Sequence, residues 1–96
     1  MVIETMRFRL LASADEASFL AADKSVQTEF AYRQPGLVRR TSARGAEGTW
    51  IVIDLWHSPA DADACAARWD GDPTAARFMA LVDGDSVRVE RYTALD

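Results

Sequence analysis

The run Thr49-Trp50-Ile51-Val52-Ile53-Asp54-Leu55-Trp56 constrains this chain more than any other segment. It has the length and the β-branched, aromatic content of a strand, and it is apolar on both alternating faces. Trp50, Val52 and Trp56 point one way; Ile51, Ile53 and Leu55 point the other. Such a strand must be covered twice, so the fold has to supply two apolar layers. Asp54 is the one charged residue in the run. A buried carboxylate needs an ion-pair or hydrogen-bond partner.

The flanking segments supply one cover. From Val2 to Leu11, Met6, Phe8 and Leu10 alternate with Thr5, Arg7 and Arg9, the period of a strand. Ser13-Ala14-Asp15-Glu16 fits a capping box. Phe19, Ala22, Val26 and Phe30 then form one stripe of a helix predicted to run to about Arg33. Gln34-Pro35-Gly36 stops it. Leu37 to Arg44 is a second, more polar strand, and Gly45-Ala46-Glu47-Gly48 is the hairpin turn into the apolar one. Ser58-Pro59-Ala60-Asp61 opens a second helix with Ser58 as its N-cap, and Ala62, Cys65 and Trp69 make its stripe. Asp72-Pro73 starts a short third helix containing Phe78, Met79 and Leu81. Asp83-Gly84-Asp85 turns the chain into a last strand, Ser86 to Leu95.

Two crossovers joined by a hairpin predict an α+β, ferredoxin-like β-α-β-β-α-β domain over residues 1–96, with a four-stranded antiparallel sheet. In that order the third strand lies between the first and second. Arg7 or Arg39 is therefore expected to pair with Asp54. Replacing Asp54 by Asn should then cost on the order of 3 kcal/mol, by leaving the arginine unpaired. The helices cover one sheet face. The other apolar row of the third strand would stay bare, which predicts a homodimer packed sheet against sheet.

Composition narrows function by exclusion. A net charge of −4 gives no basic field, so nucleic acid is not an expected partner. The longest wholly apolar stretch, Trp50 to Ile53, is too short to span a bilayer, so no membrane role is expected. Met1 leads into a strand-like run rather than a leader, and the single cysteine, Cys65, cannot form an internal disulfide; both predict a cytoplasmic protein. One His and one Cys without close spacing make no typical zinc site. No phosphate-cradling glycine loop and no Gly-x-Ser-x-Gly elbow occur. Asp61, Asp63, Asp70 and Asp72 fit helix starts and turns on a solvated surface.

The chain resembles the antibiotic biosynthesis monooxygenase superfamily of dimeric α+β barrels. The resemblance rests on the element order, on Pro35-Gly36-Leu37 after the long first helix and on Trp56-His57-Ser58 closing the third strand. It rests also on the Asp72-Pro73 start of the short helix with Phe78, and on Val87-Arg88-Val89-Glu90-Arg91-Tyr92 as the final strand. It implies a pocket between sheet and helices in each subunit. It also implies a cofactor-independent monooxygenase for a small aromatic substrate of quinol or polyketide type. A polyketide cyclase and a non-catalytic small-ligand-binding domain are the alternatives on the same fold. The haem-degrading branch of that superfamily uses an Asn on the first strand, a Trp on the second helix and a later His on iron. Trp69 matches the Trp, but the first strand has no Asn and no His follows Trp69, so haem is not expected.

Within this frame His57 is the candidate general base, since histidine is the side-chain type that titrates near neutrality. Trp50, Trp56, Trp69, Phe78 and Met79 are candidates to line a flat aromatic site, and Asp54 is a candidate polar group in it. Cys65, on a helix stripe, is expected to be a small core residue rather than a reactive thiol.

Overall fold

A computed structural model describes residues 1–95. Four strands, β1 (Val2–Arg9), β2 (Leu37–Arg44), β3 (Thr49–Trp56) and β4 (Arg88–Thr93), form one antiparallel sheet in the order β2-β3-β1-β4. Three α-helices lie between them: α1 (Glu16–Ser25), α2 (Pro59–Trp69) and α3 (Pro73–Met79). This is the predicted ferredoxin-like arrangement, with β3 between β1 and β2.

The helices cover one face of the sheet. Phe8, Trp50 and Val52 from the sheet meet Phe19, Val26, Phe30 and Phe78 from above, all buried. Phe8, Phe19 and Phe78 pack edge-on or tilted with centroids 5.3–5.7 Å apart, the spacing aromatic quadrupoles favour. A smaller cluster, Val2, Trp56 and Ala62, closes the opposite end of the sheet. The other sheet face carries Ile51, Ile53 and Leu55 of β3 beside Ile3 of β1, as the alternation requires. Its central residue, Ile53, is 37% exposed.

Local chemistry explains the element ends, with three corrections. The cap of α1 is Asp15, whose Oδ2 accepts from the Ser18 N–H at 3.2 Å; the expected Ser13–Glu16 box does not form, and Glu16 pairs with Arg44 instead. The first helix is not α-helical to Arg33. It widens into a π turn over Val26–Phe30 and tightens to 3-10 over Ala31–Arg33. The last strand is shorter than predicted, because Gly84–Ser86 is a 3-10 turn closed by the Ser86 N–H on the Asp83 carbonyl. The Ser58 and Asp72 caps form as expected. Gly36 sits at φ +84°, and a Cβ there would collide with the Asp61 carboxylate, so only glycine lets α2 start this close to β2.

Candidate active site

Between the helix-covered face of the sheet and the helices lies a cavity of about 480 Å³. A volume of that size suits a small organic ligand. Its roof is aromatic. Trp69 of α2 stands edge-on to Phe30 at 5.4 Å and to Phe78 of α3 at 5.8 Å, and Met79 completes the wall. The π turn contributes Val26, Phe30 and Ala31; such turns often mark functional sites because they push a helix face outward by a fraction of a turn. Toward β4 the cavity opens: Val89 lines it yet is 57% exposed.

The floor is polar, and its pattern is regular. Arg40 of β2 is opposite Asp54 of β3, Asp54 is opposite Glu4 of β1, and Glu4 is opposite Arg91 of β4. One charged residue from each strand thus lies in a single row across the sheet, all four bordering the cavity. Each arginine is already engaged. The buried Arg40 donates from Nη2 to Asp23 Oδ1 at 2.7 Å and from Nη1 to Gln27 Oε1 at 3.2 Å. Ser42 Oγ donates to the same Asp23 oxygen at 2.8 Å. Arg91 donates from Nε to Glu4 Oε2 and from Nη1 to Asp63 Oδ1, both at 2.7 Å, tying β4 to β1 and to α2 beside the cavity.

Asp54 is the exception. Its Oδ1 is buried and has no hydrogen-bond partner among the described residues. Burial pushes its pKa from the ordinary 3.8 up to about 6; the Arg40 charge opposes the rise, and the Glu4 and Asp23 charges add to it. The expected ion pair with Arg7 or Arg39 does not exist. Arg7 faces the other side of the sheet and pairs with Glu90, and Arg39 is exposed with its Nε on Thr41. Asp54 is therefore a poised carboxylate in a largely apolar cavity rather than half of a structural salt bridge.

The other sequence candidates divide. Trp69, Phe78 and Met79 line the cavity with Asp54. Trp50 does not: its ring packs against Phe19 at 4.8 Å and under the Arg44 guanidinium at 5.1 Å, at the far end of the core. Trp56 does not either, being buried against Val2 and Ala62. His57 is exposed, does not line the cavity, and is held by its backbone N–H on the Gly36 carbonyl at 2.9 Å. Cys65 borders the cavity, and burial, with the Asp54 and Glu4 charges, pushes its thiol up to about 11, which disfavours the reactive thiolate. No imidazole borders the cavity, so its lining does not fit a haem held by histidine. Among the described residues no three His, Cys, Asp or Glu side chains are grouped to hold a metal ion.

Sequence reasoning missed Glu4, Arg40 and Arg91. For Glu4 and Arg91 a signal existed: each falls on the inward parity of its strand, in step with Met6 and Phe8 or with Val87 and Val89.

No protein-family model matches the chain, and no curated protein matches it by sequence. Solved structures do match by shape. SnoaB, a cofactor-independent oxygenase from Streptomyces nogalater, superposes with a TM-score of 0.81 at 24% identity, covering 99% of this chain and 93% of that one. An antibiotic biosynthesis monooxygenase structure gives 0.74 at 14% identity, with complete coverage of both chains. Rv0793 from Mycobacterium tuberculosis gives 0.70 at 19%, covering 99% and 95%. The chain thus has the antibiotic biosynthesis monooxygenase fold over its whole length. None of the helices among the described residues is long and apolar enough to cross a membrane.

Proposed function

We propose that this protein is a cofactor-independent oxygenase acting on a small, electron-rich aromatic substrate of quinol or polyketide type, with Asp54 as its general base. The observation that carries this reading is the unpartnered, buried carboxylate oxygen of Asp54 in an aromatic-walled cavity. A carboxylate shifted to about 6 is ionised at neutral pH yet more basic than an ordinary one, as a general base requires. Trp69, Phe30 and Phe78 would hold the flat ring system by edge and face contacts. Asp54 would take a proton from the activated ring carbon or phenol. The resulting carbanion bonds to dioxygen, a two-electron step that gives a C-hydroperoxide after protonation; loss of the second proton from that carbon with cleavage of the O–O bond supplies the other two electrons, leaving a new carbonyl and releasing the other oxygen as water. Exclusion of bulk water would protect the anion until oxygen arrives.

The oligomer belongs to the same proposal. Ile51, Ile53, Leu55 and Ile3 form an apolar strip on the uncovered sheet face, and a second copy packed sheet on sheet would cover it. The fold likeness to a cofactor-independent oxygenase supports the chemical assignment.

The test is oxygen uptake by metal-free protein supplied with anthrones and quinols. Wild-type turnover is expected, with kcat/KM falling below about pH 6 as Asp54 protonates, and Asp54→Asn should lose at least about a hundredfold. Full activity in Asp54→Asn would remove Asp54 as base. Saturable binding without oxygen consumption would leave only a binding domain, and ring closure without it would make the protein a cyclase.

A further inference from the structure

The charge arrangement of the cavity says which aromatic ligands it can accept. Five charged residues border it: Glu4, Asp54 and Asp70 are acidic, Arg40 and Arg91 basic. Both arginines are already ion-paired. Arg40 is committed to Asp23 and Gln27, and Arg91 to Glu4 and Asp63. Counting Asp23 and Asp63, five carboxylates accompany the two cations, and the buried cavity-lining atom left without a partner among the described residues is an acceptor, Asp54 Oδ1. A carboxylated or phosphorylated ligand would therefore meet net negative charge, with both cations already ion-paired. A ligand with O–H groups would instead supply the hydrogen bond that Asp54 lacks.

Resting on the function proposed above, we infer that the cavity selects uncharged aromatic ligands bearing phenolic O–H donors, and discriminates against the same ring systems carrying a carboxylate. Recognition comes from the missing donor at Asp54 on the floor and the aromatic wall of Trp69, Phe30 and Phe78. Rejection comes from the acidic residues whose arginine partners are already used. Glu4 is the specificity-determining residue, because it both adds a negative charge and occupies Arg91 Nε.

Two ligands that differ by one group test this: 1,8-dihydroxyanthrone and its 3-carboxylic acid. Their dissociation constants are measured without oxygen at pH 7.5, by tryptophan fluorescence and calorimetry, so that turnover does not enter. The neutral compound should bind at least about tenfold more tightly than the carboxylate. In Glu4→Gln that ratio should shrink at least about threefold, chiefly through tighter binding of the acid. The wild-type comparison needs no variant and stands even if Glu4→Gln folds poorly. Equal or tighter binding of the acid by wild type overturns the inference, whether or not oxygen is consumed. Selective binding of the neutral ligand, followed by no oxygen uptake when air is admitted, supports the inference and removes the oxygenase assignment. Failure of both ligands to bind overturns both.

Discussion

Asp54→Asn should stabilise this protein at pH 8 relative to its effect at pH 4. In the unfolded chain the carboxyl titrates near 3.8; in the folded protein burial moves it to about 6. A raised carboxyl pKa means that the folded state holds the proton more tightly than the unfolded state. The corresponding stability is fully present below about pH 3.8, declines as pH rises, and is gone above about pH 6. The ionised residue thus costs the native state about 3 kcal/mol at pH 8, and only a few tenths of that near pH 4. Asn has nearly the same shape and never ionises. Its own buried amide carries some fixed cost, but that cost does not vary with pH. The change in the difference between variant and wild type across pH therefore isolates the ionisation. Urea denaturation at fixed protein concentration, at pH 4 and pH 8, should show the variant gaining about 2 to 3 kcal/mol over that interval. For a chain of this size that is a relative rise in Tm of roughly 10 °C or more. A flat difference would mean that the carboxyl is solvated. A difference of opposite sign would mean that it is ion-paired, as the sequence alone led one to expect.

Three further outcomes follow from the same geometry. Trp69→Ala should abolish anthrone binding and lower stability by about 2 to 3 kcal/mol through lost packing on Phe30 and Phe78, whereas His57→Ala should leave oxygen uptake within about twofold of wild type; a large loss in the latter alone would return the base to His57. Arg40→Ala should cost about 3 kcal/mol in a denaturant melt, because it removes a buried cation and leaves the half-buried Asp23 near Asp54 without one; a loss under about 1 kcal/mol would show that Asp23 is freely hydrated. Ile53→Glu on the uncovered sheet face should turn a sedimenting dimer into a monomer at low micromolar concentration, and an unchanged dimer would place the interface elsewhere.

The fold was legible because each element carried its own period and its own stop. The apolar row Phe19, Ala22, Val26 and Phe30 faces the core, although the backbone under it changes from α to π. A hydrophobic stripe reports which side is buried; it does not report how the backbone hydrogen bonds are shared among neighbouring carbonyls. The cavity was harder. Trp50, Trp56 and Trp69 are the same residue type in similar apolar patterns. Only Trp69 borders the cavity beneath the helices, while Trp50 edges a separate hollow beside Arg44, because whether a ring meets a neighbour or that cavity depends on how α2 and α3 sit over the sheet. His57 looked suitable by chemistry, but it falls just past the end of β3, where the chain leaves the covered face.

The partner of Asp54 shows most clearly where the sequence stops being sufficient. Strict alternation along β2, with Leu37 facing inward, turns Arg39 inward and Arg40 outward. The pairing with β3 is instead shifted by one residue between Leu37 and Arg39, so that Leu37 lies opposite Trp56 and Arg39 opposite Leu55. Val38 is the extra residue, 40% exposed. That bulge reverses the parity of everything after it. Arg40 enters the covered face and Arg39 leaves it. Arg40 then lies opposite Asp54, but its guanidinium is captured by Asp23 and Gln27 from the helical layer, which offers two acceptors to the one across the strand. The carboxylate keeps a nearby positive charge without a hydrogen bond to it. The bulge thus decides which arginine faces Asp54, and the helical layer, by capturing that arginine, leaves the carboxylate unpartnered. Deleting Val38 should therefore close the bulge while keeping Arg39 opposite Leu55 and Arg40 opposite Asp54. The Asp54 carboxyl should then stay near 6 in urea denaturation followed across pH, and a fall back toward 4 would show that the bulge itself keeps Arg40 from pairing with it.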